Sequence, residues 1–183
     1  DKMKSHYRAV VVGGGVVGAS TLYHLAKMGW NDVVLVEKIE YTSGSTWHAA
    51  GLLPLFNMSY SVGKIHKYSV DLYQTLESET GQQVSFHKTG NLRLARNQER
   101  MDEYKRYCGT ASTIGVPFEM IGATEIKKLW PFAKVEDLVG ALYHPDDGHV
   151  APVDVTMALL KGARAHGAET YTGIEVISMA QKP

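Results

Sequence analysis

The sequence predicts an α/β fold in which a Rossmann-like unit is interrupted by an antiparallel segment, and three observations support this. Residues 8–12 and 33–36 are short apolar runs rich in β-branched residues, which is typical of buried parallel strands. A glycine-rich turn and a segment of helical periodicity lie between them and indicate a βαβ unit. From residue 84 to 95 the pattern changes to one typical of antiparallel strands outside that unit.

The other elements follow in chain order. Gly29, Gly81 and Gly167 are expected to end helices. We expect helices at 19–28, 65–80, 98–113 and 152–166, strands at 84–87, 90–95, 139–143, 169–171 and 175–178, irregular structure at 42–63 and a turn at 145–148. This order predicts one domain from residues 1–83 and 146–183, with an inserted second domain beginning at 84–145. A third strand with exposed apolar edges indicates the first part of a longer domain.

Composition and charge argue against several classes of protein. Of the 183 residues, 44% are hydrophobic and 21% are charged, and nineteen basic residues balance nineteen acidic ones. These values are typical of a globular protein, and the lack of a basic run with interleaved aromatics argues against a nucleic-acid partner. No apolar run approaches the ~20 residues of a membrane span, so we expect no membrane partner. The single cysteine, Cys108, indicates a reducing compartment, and we interpret it as a packing residue.

The beginning of the chain leads to an expectation about location. Asp1 and Lys2 precede Met3, and we interpret them as a tag remnant before a native start methionine. That interpretation leaves no room for a targeting peptide and predicts a cytoplasmic, bacterial protein, or a mitochondrial matrix protein if the source is eukaryotic.

The glycine-rich turn, Gly13-Gly14-Gly15-Val16-Val17-Gly18, fits the pattern G-x-G-x-x-G. Gly13 allows the tight turn after the strand, Gly15 lets the backbone approach a pyrophosphate, and Gly18 lets the helix pack on the sheet. The helix N-terminus would offer free N–H groups to the phosphates. Because the motif follows a predicted strand and opens a predicted helix, we expect a dinucleotide here.

A carboxylate at the end of the second strand supports the dinucleotide. Glu37 lies 19 residues after Gly18, where it would accept hydrogen bonds from ribose hydroxyls. Its charge would repel a 2′-phosphate, which argues against NADP and leaves NAD and FAD open. The alternative is a glycine-rich turn without a ligand and a surface Glu37.

A lone histidine lies among small residues shortly after this unit. The run is Gly44-Ser45-Thr46-Trp47-His48-Ala49-Ala50-Gly51-Leu52. Glycines and small hydroxyl side chains let the backbone close onto a flat, phosphorylated cofactor, and an imidazole nitrogen is a nucleophile. Spacing alone leaves open whether His48 is a hydrogen-bonding loop residue or is bonded to the cofactor.

Residues 8–52, with the runs at 90–95, 143–149 and 152–159, resemble the dimethylglycine dehydrogenase and sarcosine dehydrogenase family. These are FAD-dependent amine oxidoreductases of the D-amino-acid-oxidase type. The resemblance covers essentially the whole chain but only the N-terminal part of a family member. It implies an FAD-binding domain at 1–83 and 146–183 and the start of a substrate domain at 84–145. The remainder would hold the substrate pocket and folate-binding domains, so an isolated 183-residue piece would be inactive.

The resemblance implies that His48 is joined covalently to the 8α-methyl carbon of FAD, which retains the cofactor and raises its reduction potential. Val176 would present its backbone to the adenine, and the alternative is an ordinary buried valine of a strand. No catalytic residue is assigned within this chain, and the other histidines show no metal-ligand spacing. The implied cofactor-binding residues are Gly13, Gly15, Val16, Val17, Gly18, Glu37, Lys38, Gly44, Ser45, Thr46, Trp47, His48, Ala49, Ala50, Gly51, Leu52 and Val176.

The reaction implied by the resemblance is oxidative demethylation of a small N-methylated amine such as dimethylglycine or sarcosine. The one-carbon unit would pass to tetrahydrofolate or leave as formaldehyde, and the electrons would pass to an electron-transfer flavoprotein or to oxygen. Two alternatives stay open: a noncatalytic protein like the regulatory subunit of pyruvate dehydrogenase phosphatase, and an NAD-dependent dehydrogenase.

Two further groups of residues are interpreted as structural. We assign His144 and His149 to a turn around Pro145 and Gly148 rather than to a metal site. For the run Trp130-Pro131-Phe132, core packing is favoured over a partner surface.

Overall fold

The computed structural model describes residues 3–181 and contains five α-helices and nine β-strands within that range. A 3-10 helix, Ser45–His48, lies between the second and third strands. In chain order the elements are β1 (Ala9–Val12), α1 (Val16–Lys27), β2 (Val33–Val36), β3 (Leu52–Leu53), α2 (Tyr60–Thr80), β4 (His87–Lys88), β5 (Asn91–Ala95), α3 (Gln98–Ile114), β6 (Glu119–Ile121), α4 (Ala123–Leu129), β7 (Gly140–His144), β8 (Gly148–His149), α5 (Pro152–Ala165) and β9 (Glu169–Tyr171).

The chain divides into two compact units. The first contains the residues up to 51, residues 73–85 and the residues from 150 onward, and the second contains residues 52–72 and 86–149. These limits differ from the sequence-based ones in one main respect: residues 52–72 belong to the second unit. That the first unit is an FAD-binding domain and the second the start of a substrate domain stays a prediction.

The first unit is the predicted βαβ fold. Its sheet has the order β1-β2-β9 and is parallel throughout, with Val10 opposite Val34 and Leu35 opposite Thr170. Helices α1 and α5 pack against each other, and their inner faces are buried. The prediction of an α/β fold with a parallel sheet is confirmed. The largest fully buried side chains here are Leu22, Tyr23, Leu35, Leu76, Leu159 and Leu160.

The second unit is antiparallel. One sheet has the order β5-β7-β6, and a smaller sheet has the order β3-β8-β4. Its main core contains residues from the strands, from α2 and α3 and from the chain around them, including Leu55, Val70, Tyr107 and Leu142. The expected antiparallel strands outside the βαβ unit are therefore confirmed.

Several sequence-based boundaries were wrong. Helix α2 begins at Tyr60, inside the segment expected to be irregular, and the strand expected at 84–87 is limited to its last residue. The strand expected at 175–178 is not present: these residues have no regular secondary structure and pair with no strand of the described chain, and Ile177 is 88% exposed. The predicted core position of Phe132 was also wrong, because its side chain is 90% exposed. Elements β3, β6, α4 and β8 were not predicted.

No helix within residues 3–181 combines the length and the apolar character needed to cross a membrane.

Candidate functional site

The turn between β1 and α1 has the backbone geometry that the glycine motif requires. Gly13 has φ +108°, a conformation that L side chains rarely adopt. A Cβ added at Gly18 would lie 1.9 Å from the Gly13 carbonyl oxygen, so α1 starts in direct backbone contact with the turn. A Cβ added at Gly13 itself would meet no heavy atom within 4 Å. The turn is thus closed on the helix side and open on the side toward which a diphosphate would lie.

Glu37 is fixed by the same turn. Its Oε2 accepts the Gly14 N–H at 2.7 Å, and its Oε1 accepts the Ile39 N–H at 2.9 Å. These two N–H groups, with that of Gly14 contributing most, hold the pKa of the Glu37 carboxyl below its ordinary value. The side chain is therefore an oriented carboxylate, and each oxygen still has a lone pair for a ribose hydroxyl.

A cavity of about 270 Å³ lies at the carboxyl ends of β1 and β2. Its lining includes Gly13, Glu37, Lys38 and Val176, four residues that the sequence placed in the site. Val176 reaches it without being in a strand, because the Ile174 N–H donates to the Glu37 carbonyl at 3.0 Å and carries the chain across. Ligands of open α/β sheets bind at the carboxyl ends of the strands, which is where this cavity lies.

Residues 42–51, here called the His48 segment, are attached to the glycine turn by two hydrogen bonds. The Thr42 N–H donates to the Gly14 carbonyl at 3.0 Å, and the Val16 N–H donates to Thr46 Oγ1 at 3.0 Å. Thr46 is 7% exposed, whereas its neighbours in the 3-10 helix are exposed. The Val16 N–H, which the glycine motif predicts to be free for a phosphate, therefore already has a partner.

His48 is exposed at the end of the 3-10 helix. Its Nδ1 lies 3.2 Å from the Gly44 carbonyl oxygen, a contact in which Nδ1 carries the proton and donates it. The neutral ring then has an unshared electron pair on Nε2, and no protein group among the described residues pairs with that nitrogen. The imidazole is thus oriented with its nucleophilic nitrogen available.

The remaining predicted residues are placed as follows. Gly51 has φ +73°, and a Cβ there would lie 2.1 Å from the Val150 carbonyl oxygen, so the segment also ends at a position that requires glycine. Val17 and Trp47 are exposed, at 77% and 68%. Exposed positions with no described side-chain contact are Ser45, Ala49 and Ala50, and Leu52 is exposed in β3 of the second unit.

Sequence reasoning missed the contact between Thr46 and Val16 and the role of Thr42. Thr42 is buried with φ +71°, a left-handed conformation that is uncommon for a residue other than glycine. No local signal could have revealed these contacts, because the partners are about thirty residues apart in the chain.

The second unit contains a buried polar cluster, which we define as Arg93, Tyr107, His144 and Asp147. The Tyr107 hydroxyl is 3.0 Å from His144 Nε2, and Asp147 Oδ1 accepts the Leu55 N–H at 2.9 Å. His144 and Asp147 are 0% and 1% exposed. Burial lowers the pKa of His144 to about 4 and raises the pKa of Asp147 to about 6. Among the described residues, Arg93 Nε, His144 Nδ1 and Asp147 Oδ2 have no hydrogen-bond partner.

The turn expected after His144 is present at 145–146, and His144 itself is the last residue of β7. Its complete burial was not predicted. Cys108 packs against the core of the second unit as expected, and burial raises the pKa of its thiol. Within residues 3–181, no three His, Cys, Asp or Glu side chains are grouped as metal ligands would be.

Comparison with known proteins gives a match to one family over nearly the whole chain. The family of FAD-dependent oxidoreductases, DAO, matches residues 8–182. Mitochondrial dimethylglycine dehydrogenase from Rattus norvegicus is 43% identical over 180 residues, which are 98% of this chain and 21% of that protein. The mitochondrial regulatory subunit of pyruvate dehydrogenase phosphatase from Mus musculus is 39% identical over 175 residues, 96% of this chain and 20% of that protein.

Among solved structures, L-proline dehydrogenase from P. horikoshii superposes with a TM-score of 0.87 at 30% identity, over 95% of this chain and 46% of that one. The chain spans about a fifth of the length of the curated relatives named above. The family match selects FAD over NAD as the dinucleotide.

The residues present fit FAD. The open space at Gly13 and the N-terminus of α1 could accept phosphates, the oriented Glu37 carboxylate could accept ribose hydroxyls, and the cavity lined by Val176 could accept adenine. All of these groups belong to the first unit.

Proposed function

The chain belongs to the family of FAD-dependent oxidoreductases, and on that premise we propose that it forms part of an enzyme that oxidatively demethylates a small N-methylated amine such as dimethylglycine or sarcosine. The flavin is joined covalently to His48. The observation that carries the proposal is the placement of His48, whose Nδ1–H donates to Gly44 and leaves Nε2 as an exposed nucleophile, on a segment attached to the glycine turn.

The cofactor would be bound chiefly by residues of the first unit. Gly13, Gly15 and the first turn of α1 would hold the diphosphate, because the helix dipole favours negative charge there. Glu37 would accept hydrogen bonds from the adenosine ribose, with Lys38 beside it, and the backbone of Val176 would face the adenine. The resemblance implies further cofactor-binding residues in the His48 segment and at the position that follows it. These are Gly44, Ser45, Thr46, Trp47, Ala49, Ala50, Gly51 and Leu52.

His48 supplies the bond to the cofactor. The Gly44 carbonyl holds the proton on Nδ1, so Nε2 would be the nitrogen joined to the 8α-methyl carbon. That carbon would lose one proton, and the electron pair of the broken C–H bond would reduce the flavin, which the electron acceptor of the enzyme would then reoxidise. When bound, FAD supplies the two-electron oxidation of the N-methyl group. The residues of this chain bind and orient the cofactor, and none of them is assigned as an acid or base for the substrate.

The partners of the complete enzyme follow from the same proposal. The amine donates electrons that pass to an electron-transfer flavoprotein or to oxygen, and the one-carbon unit passes to tetrahydrofolate in another part of the protein or leaves as formaldehyde. We propose a cytoplasmic location in a bacterium or the mitochondrial matrix in a eukaryote.

A second candidate is a noncatalytic regulatory protein. The observation that favours it is the 39% identity to the regulatory subunit of pyruvate dehydrogenase phosphatase. Under this alternative, a purified protein that contains flavin would not be reduced by an N-methylated amine.

The test is the fate of flavin on acid precipitation of the complete protein. We expect the wild-type pellet to be yellow and fluorescent, the pellet of His48→Ala to be colourless, and that of His166→Ala, an exposed histidine at the end of α5, to match wild type. Release of all flavin from the wild type would refute the covalent bond. Anaerobic bleaching by dimethylglycine or sarcosine would then separate the enzyme from the regulatory alternative.

A further inference from the structure

Thr46 connects two functional parts of the first unit. Helix α1 begins after Gly15, which has no side chain to cap the helix. A helix usually receives its N-terminal cap from the residue just before it. Here the acceptor is Thr46 Oγ1, 3.0 Å from the Val16 nitrogen and thirty residues further along the chain.

The contact is built tightly. Thr46 is 7% exposed, and a Cβ added at Gly15 would lie 3.1 Å from its hydroxyl oxygen, so the close approach depends on a small residue at that position. The second attachment, from the Thr42 N–H to the Gly14 carbonyl, lies beside it. Trp47 N–H then donates to the Thr42 carbonyl at 3.1 Å, and Ala49 N–H to the Thr46 carbonyl at 3.3 Å, so the turn that carries His48 is built directly on these two threonines.

The hydroxyl has one further capacity. A threonine hydroxyl can accept a hydrogen bond and at the same time donate its own proton. Thr46 accepts from Val16 and shows no acceptor for its own O–H among the described residues. The Val16 N–H at the helix end is therefore used by Thr46 and is not offered to an anion. The Thr46 O–H, two residues before His48, is the donor that remains available in its place.

We infer that Thr46 is a positioning residue that holds the His48 segment on the diphosphate turn before the cofactor binds. The inference rests on the proposed cofactor site, but not on a covalent bond. The hydrogen bond of Thr46 orders the His48 segment before FAD binds. The entropy cost of ordering this loop therefore does not reduce the affinity for FAD.

The experiment uses the complete protein with His48→Ala, so that FAD binds reversibly whether or not the wild type is covalent. In this background we compare Thr46→Val and Thr46→Ala, which remove the hydroxyl, with Thr46→Ser, which keeps it. Ser43→Ala is the matched control, because Ser43 is exposed and lies in the same loop. If Thr46→Val does not fold, Thr46→Ala is the variant that lacks the hydroxyl.

Two quantities are measured: hydrogen–deuterium exchange of residues 13–18 and 42–51 without FAD, and the dissociation constant of FAD. For both hydroxyl-free variants we expect exchange at least tenfold faster and a dissociation constant at least tenfold larger. We expect Thr46→Ser to stay within threefold of the parent and Ser43→Ala to be unchanged. Strands β2 and β9, which lie in the same unit as Thr46, should exchange as in the parent, which reports that the first unit is folded.

Unchanged exchange with weaker FAD binding would make Thr46 a cofactor ligand only and would overturn the inference. Faster exchange with unchanged affinity would overturn it as well, since order in the segment would then not matter to binding. Failure of the covalent bond in the wild type would be seen separately, in the acid precipitate, and would leave this result standing.

Discussion

The glycine turn of the first unit and the buried polar cluster of the second unit differ in how their polar groups are paired. Around the turn, the N–H groups of Gly14, Val16 and Thr42 each have a partner, and much of the surroundings is exposed. In the cluster, His144 and Asp147 are almost fully buried, yet each has one atom without a partner among the described residues.

This difference in hydrogen-bond pairing indicates the role to which each region is suited. Paired groups near solvent exchange one hydrogen-bond partner for another at little net cost, as a cofactor site requires. Buried groups that are only partly paired carry a desolvation cost and respond to pH. The paired groups at the glycine turn are therefore suited to binding a cofactor. The partly paired groups of the buried cluster affect the stability of the second unit.

Gly18→Ala should lower the free energy of unfolding more than any other substitution considered, because it disrupts the backbone packing of the glycine turn. Gly18→Ala would put a Cβ 1.9 Å from the Gly13 carbonyl oxygen, so we expect a loss of ~4 kcal/mol in the free energy of unfolding, or failure to fold. Gly29→Ala is the control, since Gly29 has φ +84° but no heavy atom within 4 Å of an added Cβ, and we expect a loss of ~1–2 kcal/mol. Urea unfolding measures both. Equal losses would show that the close approach is not what requires Gly18.

The next effect concerns Asp147 and pH. Its pKa is raised by burial to about 6 in the folded chain, so the folded state favours the protonated acid. Stability from this group is present below the ordinary pKa near 4 and is lost as pH rises through about 6. Asp147→Asn keeps an acceptor for the Leu55 N–H and cannot ionise. We therefore expect the variant to gain on wild type as pH rises from 4 to 6, at up to ~1.4 kcal/mol per pH unit.

Comparison with the variant is essential because His144 has the opposite dependence. Its pKa is lowered by burial to about 4, so its contribution is present above the ordinary pKa and is lost as pH falls toward 4. In wild type the two slopes offset each other between pH 4 and 6. Urea unfolding at several pH values in this range gives the difference, and a constant difference would contradict the raised pKa of Asp147.

The smallest effect removes one hydroxyl from the cluster. Tyr107→Phe leaves His144 Nε2 without its partner at 3.0 Å, and we expect a loss of ~1 kcal/mol in the free energy of unfolding. The affinity for FAD should not change, because Tyr107 belongs to the second unit, whereas Gly13, Glu37 and His48 belong to the first. Tyr60→Phe, at an exposed position of α2, should change neither quantity. A weaker affinity for FAD in Tyr107→Phe would contradict the division of roles.

The part of the fold that was predictable is the part set by neighbouring residues. The β-branched runs at 9–12 and 33–36 and the glycines between them form the βαβ unit because each signal acts within a few residues. The run at 175–178 has the composition of a strand, but a strand also needs a neighbour to pair with, and composition does not report one.

The candidate site divides in the same way. Gly13 and Glu37 were predicted from spacing, Lys38 and Val176 were implied by the resemblance, and the structure brings all four to one cavity. The hydrogen bond from Val16 to Thr46 and the burial of His144 were not predicted, since both depend on chain segments that are distant in sequence. Their cause is tertiary packing, which no local pattern contains.

The attachment of the His48 segment at both ends has a consequence for how this region can evolve. Thr46 is fixed to α1, and the Gly51 carbonyl accepts the Val150 N–H at 2.9 Å in a space that admits no side chain. The residues between these anchors, 47–50, are all exposed. Their identities can drift at little cost to stability, but an insertion or deletion would pull one anchor out of place. Natural variation is therefore expected to preserve the number of residues here more strictly than their chemistry. The position that His48 can reach is set by the length of the chain between the two attachment points.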